Sequence, residues 1–478
     1  MALSKGPLPL SRAETIQEAT PVLKESNCIA AIDFGTSSLS VAYTIPLSRT
    51  TRGDIKVLPL HSTLERIPNA ILIMKDKLGQ KYSTIAIGPK AQSLYSSVRN
   101  NFENFAYFER IKNLLERDKS LNRTTQVHSF TGGSYYLIEV IAFILTNLKE
   151  TLVTHFKGQY KSTNFDWVIT VPAVWKARAR RMMREAAYMA GLTSNGPGII
   201  RFTPVGSPLL RPQEVNPEKL SLALEPENTT AEIERYMVVD IGGGTVDITV
   251  HDMDYGKVSV ALPPMGNTWG GTTINETLSM LLQEIVDDKG FKAFLKSDPI
   301  GAKAALNKLF YEEFEGQKKV FGEAIVGIHK VVINLPNKLV QFYGNDMLHE
   351  ANKMNMHYDP GEGSLGIGYD LLEQKVFQFT IDKIIECVRA AFDELPSKIN
   401  TVYLVGGFGG CRFVSQKIEE AIAQHCGILY DNIVCPVDPD LAVVSGAVMW
   451  RKNPNIIQSR VADATYGTVV APVFNPAI

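Results

Sequence analysis

YMVVDIGGGTVDITVHDM, residues 236–253, is the stretch from which the rest of the chain can be read. Apolar Met237, Val238 and Val239 form a buried strand, Asp240 closes it, and Gly242, Gly243 and Gly244 make a turn. A second strand over 245–250 runs back with alternating character. Three successive glycines strip every Cβ from the turn, so the backbone can approach a ligand and offer its N–H groups to an anion. Asp240 and Asp247 bracket this concavity, where bare carboxylates would repel a phosphate. A divalent cation with its waters, placed between carboxylate and phosphate, reconciles the two. The stretch therefore reads as a metal-phosphate cradle on a β-hairpin; taken alone, the competing reading is a tight structural turn.

The pattern has an echo. Residues 28–45, CIAAIDFGTSSLSVAYTI, give an apolar strand, then Asp33, Gly35, Thr36, Ser37 and Ser38, then a return strand. Two such hairpins suggest duplicated lobes facing each other across one nucleotide. A third glycine turn, Gly406, Gly407, Phe408, Gly409 and Gly410, follows the strand 402–405 and opens a helix. A helix amino terminus there suits phosphate or a nucleotide's polar edge, although glycines after a strand also serve helix packing alone. No GxxxxGK[ST] occurs, which excludes a P-loop protein.

Composition sets the frame. With 478 residues the chain holds two to four domain-sized units. It is 45% hydrophobic and 21% charged, as expected of a soluble globular protein, and a net charge of −1 gives no electrostatic case for nucleic acid or membrane. The arginine-rich helix 176–190 reads as one solvated or salt-bridged face. Five cysteines without CxxC spacing favour reduced thiols and a cytoplasmic setting. Residues 1–27 read as a flexible leader, and the apolar run 137–145 is too short to cross a bilayer and carries Glu139.

Elsewhere, 101–117 begins loosely and becomes an amphipathic helix carrying Lys112. Further helices are expected over 135–156, 272–286 (capped by Thr272), 302–321 (continuous despite Gly316), 377–395, 414–424 and 439–450, and a buried strand over 166–172. Residues 195–234 read as an irregular connection. Strands alternating with helices in both halves predict an α/β architecture.

The three turns, in this order, resemble those of the superfamily of 70-kDa heat-shock proteins, actin and sugar kinases, with the heat-shock branch fitting best. AIDFGTSS is similar to its first phosphate motif, VVDIGGGTVDI to its second and YLVGGFGG to its adenosine motif. ITVPAVWKARARRMMREAAYMAGL, ALEPE, FEGQKK and PDLAVVSGAV are similar to its further signatures. The resemblance spans about 29–450. Phe408 in place of a small hydroxyl residue, Asn228, Thr229 and Thr230 after the Glu-Pro pair, and SRVADATYGT after the last helix resemble a divergent branch, the heat shock 70 kDa protein 12 group.

The resemblance implies a duplicated actin-like ATPase (ribonuclease H-like) fold with two lobes around a nucleotide cleft: lobe I over 28–235, lobe II over 236–437, and a closing helix and tail over 438–478. It implies ATP/ADP and Mg²⁺ as cofactors. Asp33 and Asp240 would hold the metal through water. Gly35, Thr36, Ser37, Gly242, Gly243, Gly244 and Thr245 would hold phosphates, with Thr245 also in the catalytic set. Asp247 would support the metal shell or the attacking water, Glu225 would orient that water, and Lys112 would be the catalytic lysine, one residue further from Phe108 than in the family pattern. Glu315, Lys318, Gly406 and Gly407 would contact the nucleoside, Arg412 would stack on adenine, and Pro172 and Arg180 would relay between lobes. The implied function is slow ATP hydrolysis coupled to a chaperone-like switch, with co-chaperones or client proteins as partners. The family's apolar linker and peptide-binding β-domain do not appear in the sequence. The competing readings are a non-hydrolysing nucleotide-binding scaffold, a small-molecule kinase and an actin-like filament.

Overall fold

A computed structural model of the chain describes residues 28–46, 54–75, 82–97, 102–117, 120–192, 201–204, 234–286, 288–322, 329–343, 351–395 and 398–461. Two large sheets, each built around one of the glycine-turn hairpins, organise it. In the first, Cys28–Phe34 pairs antiparallel with Ser38–Thr44 and parallel with Phe165–Val171, which in turn pairs parallel with Arg201–Pro204. In the second, Glu234–Ile241 pairs antiparallel with Val246–Asp254 and parallel with Thr401–Val405, which pairs parallel with Ile433–Val434. The two sheets repeat one strand order, the second carrying one further edge strand. Each repeat also sets a helix before and after its second parallel strand: Leu137–His155 and Ala177–Met189 in one, Gln378–Asp393 and Arg412–Cys426 in the other. The fold is mixed α/β.

Period-two alternation explains how each sheet is covered on both faces. Ala30, Ile32, Val41 and Ile169 point into a core closed by the fully buried stretch of Leu137–His155. Ile29, Ala31, Ala42 and Val168 point the other way, onto Val444, Ala447, Val448 and Trp450 of the helix Ala442–Lys452. That helix reaches the first sheet from beyond the second, and Arg451 ion-pairs there with Asp166. The chain then returns, and Ile457–Ser459 joins the second sheet beside Lys257–Val260.

Several expectations need correction. Residues 105–109 are not the loose start of a helix: Phe105–Glu109 is a strand antiparallel to Ala70–Lys75. Its alternation places Ala106 and Phe108 in one core and Tyr107 in another, and Arg110, at φ 51°, turns the chain into the helix Lys112–Arg117. The expected continuous helix over 302–321 is interrupted by a π-helical turn, Leu309–Glu313. Asn275 Nδ2 donates to the Phe310 carbonyl at 2.5 Å, drawing that oxygen towards a side chain. Part of the connection 195–234 is the strand Arg201–Pro204, whereas residues 205–233 lie outside the described residues. Thr272 does not cap its helix, which starts at Gly271. The Gly271 and Thr272 amides instead donate to the Gly242 and Gly243 carbonyls, at 3.0 and 2.7 Å.

Candidate functional site

The two glycine turns meet. A Cβ on Gly243 would overlap the Ser37 hydroxyl, and one on Gly244 would sit 2.5 Å from Thr36 Oγ1 and 2.7 Å from Asn113 Oδ1. Glycine is required here for close approach between segments two hundred residues apart in sequence. Each turn is braced from outside. Asn69 donates through Nδ2 to the Gly35 carbonyl (2.7 Å) and through its backbone N–H to the Ser37 carbonyl (2.9 Å). The second turn is fixed by the helix amides noted above, and Gly242 donates to the Thr245 carbonyl at 2.9 Å.

The acids expected from the sequence gather at these turns. Asp240 and Asp247 face each other across the second hairpin. Asp33 accepts a hydrogen bond from Thr170 on the neighbouring parallel strand. Burial, together with the Asp247 and Asp33 charges, pushes the Asp240 carboxyl up to about 8; Lys112 and Arg66 pull against that shift. Asp247 is also raised by burial, opposed by Lys112, by the Thr245 hydroxyl and by the Ala173 and Val174 backbone N–H groups. Ala173 donates to Asp247 Oδ1 at 3.0 Å, and its carbonyl accepts from Arg180 Nη2 at 2.9 Å. The segment after Pro172 is thus hydrogen-bonded to the second hairpin. Lys112 is buried, with its ammonium 5.5 Å from the centre of the Trp175 ring and its charge acting on both acids.

Beside the acids lies a cavity of about 400 Å³, lined by Ser37, Ser38, Arg66, Asn69, Gly243, Gly271, Glu315, Lys318, Gly407, Phe408 and Asp440 among others. Gly406, at φ 90°, has no room for a Cβ because Asp240 Oδ1 occupies that space, so this turn abuts the acid cluster. Lys318 is buried and gives its three N–H bonds to Gly271 O (3.0 Å), Asn275 Oδ1 (2.8 Å) and Glu315 Oε2 (2.6 Å). Phe408 is buried against Gly271, with the Lys318 ammonium 5.4 Å from its ring centre. Arg412, expected to stack on a base, begins the helix Arg412–Cys426, is exposed and does not line the cavity; its charge acts on Glu419. Glu225 lies outside the described residues.

The site's donors are hard oxygens: three carboxylates and the turn hydroxyls. That set, with burial and like charge raising the Asp240 carboxyl, fits a hard divalent cation. Among the described residues no three His, Cys, Asp or Glu side chains form a direct ligand cluster. Sequence reasoning missed Arg66, Asn69 and Asn113, which sit in stretches with no motif of their own, and it gave no role to Asp440 although that residue lies in the PDLAVVSGAV signature.

No family model matches the chain. It is 27% identical to the heat shock 70 kDa protein 12A of Mus musculus over 97% of this chain and 75% of that protein. Against the Homo sapiens 12A protein the identity is 26%, over 97% of this chain and 76% of that protein. Against the Homo sapiens heat shock 70 kDa protein 12B it is 24%, over 98% and 75%. These homologues match the divergent 70-kDa heat-shock-like branch.

Proposed function

We propose that this chain, a homologue of the heat shock 70 kDa protein 12A and 12B branch, is an ATP-binding switch with an actin-like fold whose two lobes close on a nucleotide. Lobe I would span 28–235 and lobe II 236–437, with 438–478 returning towards lobe I. One observation carries the reading. Two hairpin turns from distant parts of the chain meet at Gly243, Gly244, Thr36 and Ser37, with Asp33, Asp240 and Asp247 gathered around them.

In this reading the turn amides and the Thr36, Ser37 and Thr245 hydroxyls hold the phosphates, and Asp33 and Asp240 hold Mg²⁺ through its waters. Bound magnesium would supply neutralisation of charge on the phosphoryl oxygens. Asp247, fixed by the Ala173 N–H, orients a water or the metal's shell, and the Lys112 ammonium offsets charge from the same side. Glu315, Lys318 and Gly407 take the nucleoside. Since every Lys318 N–H already has a protein acceptor, contact with a ribose exchanges one of these bonds. Clients and co-chaperones belong to the same reading.

A second reading, a nucleotide-binding scaffold without hydrolysis, is favoured by Phe408 packing into the cavity wall and by the locked Lys318. Single-turnover phosphate release with Mg²⁺-ATP separates the two: slow release, lost in Asp240→Ala, supports the switch. Nucleotide binding without release supports the scaffold, and turnover unchanged in Asp240→Ala overturns the site assignment. Titration with an unfolded peptide tests the chaperone-like part.

A further inference from the structure

Arg66 stands where the cavity and the acid cluster adjoin. It lies on the short strand Arg66–Pro68, paired with the return strand of the first hairpin, Ser40 opposite Arg66. Its Nε donates to Ser38 Oγ and its Nη1 to Asp440 Oδ2, each at 2.6 Å. Its guanidinium lies against the α-carbon of Gly407, where a Cβ would overlap it unless the arginine shifted. The same charge reaches Asp240. Arg66 thereby touches the first phosphate turn, the third glycine turn and the start of the closing segment at once.

Of the other cations lining the cavity, Lys319 is exposed to solvent and two are committed elsewhere. Lys318 has its three acceptors, and Arg110 is held by Glu109 and Asn307 and stacked at 3.5 Å on Tyr311. Arg66 engages two of the five donors a guanidinium carries, and among the described residues its Nη2 has no acceptor. Its bridge to Asp440 is part-exposed, the two side chains being 21% and 37% accessible, so it holds weakly in water. A phosphate offers more charge and a bidentate oxygen pair that matches the planar fork.

We propose that Arg66 is a phosphate-binding arginine of the cleft, and that Asp440 competes with the phosphate chain of a nucleoside di- or triphosphate for its guanidinium. The proposal rests on the nucleotide reading and adds to it an arginine that no sequence motif marks and a competitor, Asp440, to which the motif that contains it gave no role. The test is equilibrium binding of Mg²⁺-ADP and of adenosine to the full chain, for the parent, Arg66→Ala and Asp440→Asn. Arg66→Ala weakens Mg²⁺-ADP by about ten- to a hundredfold and leaves adenosine within about twofold, because a charge-assisted bond to phosphate is lost. Asp440→Asn tightens Mg²⁺-ADP severalfold without changing adenosine, and it carries the test if Arg66→Ala does not fold. Equal losses for both ligands in Arg66→Ala, or weaker or unaltered Mg²⁺-ADP binding in Asp440→Asn, overturn the proposal. Mg²⁺-ADP bound alike by the parent and Arg66→Ala overturns the role of Arg66 alone, whereas no binding by the parent overturns it together with the nucleotide reading.

Discussion

Asp240 is the acid at the centre of the proposed site, and its proton is measurable. Folding lifts its carboxyl from 3.8 to about 8, so between those values the folded chain keeps a proton that the unfolded chain releases. In the absence of metal and nucleotide, the stability this one group contributes is therefore fully present below pH 4, falls as the pH climbs, and is gone above about 8. Asp240→Asn lowers that slope, while Asp247, Glu312 and Glu419, which burial raises in the same direction, keep their share of it. Thermal unfolding in chelator, measured at intervals from pH 5 to 9 (roughly the window over which such a group titrates), checks it. A variant as pH-dependent as the parent would mean that the charge lies elsewhere. The acids themselves were legible in the sequence, because strand, acid and glycine lie within a few residues of one another. Arg66 was not. Its partner Asp440 is 374 residues away, and nothing local to ERIPN or PDLAV says that the two meet.

At the scale of elements, the hairpins were readable for the same local reason, and the helix around Glu315 was readable only in part. Apolar spacing over 302–321 fits one helix. The π-helical turn inside it depends on Asn275, whose side chain reaches Phe310 O, Glu315 Oε2 and Lys318 Nζ from another helix. A periodicity cannot register a hydrogen bond from elsewhere. Strand Phe105–Glu109 was missed on similar grounds: five residues are too few for alternation to outweigh the helix that follows, and pairing with Ala70–Lys75 decides the matter. Asn275 is the centre of this buried polar cluster. Asn275→Ala leaves the Phe310 carbonyl and the Lys318 ammonium each short of a partner, which costs about 2–4 kcal/mol of stability. Asn275→Asp restores an acceptor for Lys318 but not a donor for Phe310 or Glu315, so it lies between the parent and alanine only if the ammonium is the larger debt. Urea unfolding of the two variants ranks them.

Across the whole molecule, the strap formed by Ala442–Lys452 and Ile457–Ser459 links what the two hairpins separate. Its helix covers one face of the first sheet, its strand extends the second, and its approach carries Asp440 to Arg66. Each sheet has a large core of its own, and the apolar contact of this helix with Ile29, Ala31, Ala42 and Val168 is what makes the first core depend on residues beyond the second. Val448 sits fully buried at that contact. Val448→Asp places an unpaired carboxylate between helix and sheet, at a cost of several kcal/mol. The loss falls on the docking of the helix, not on the interior of either sheet. Calorimetry of the parent should show one unfolding transition, and Val448→Asp should split it in two, the second close to the parent's temperature. A single transition moved down as a unit would mean that the two cores unfold together without the strap, coupled through the cleft alone.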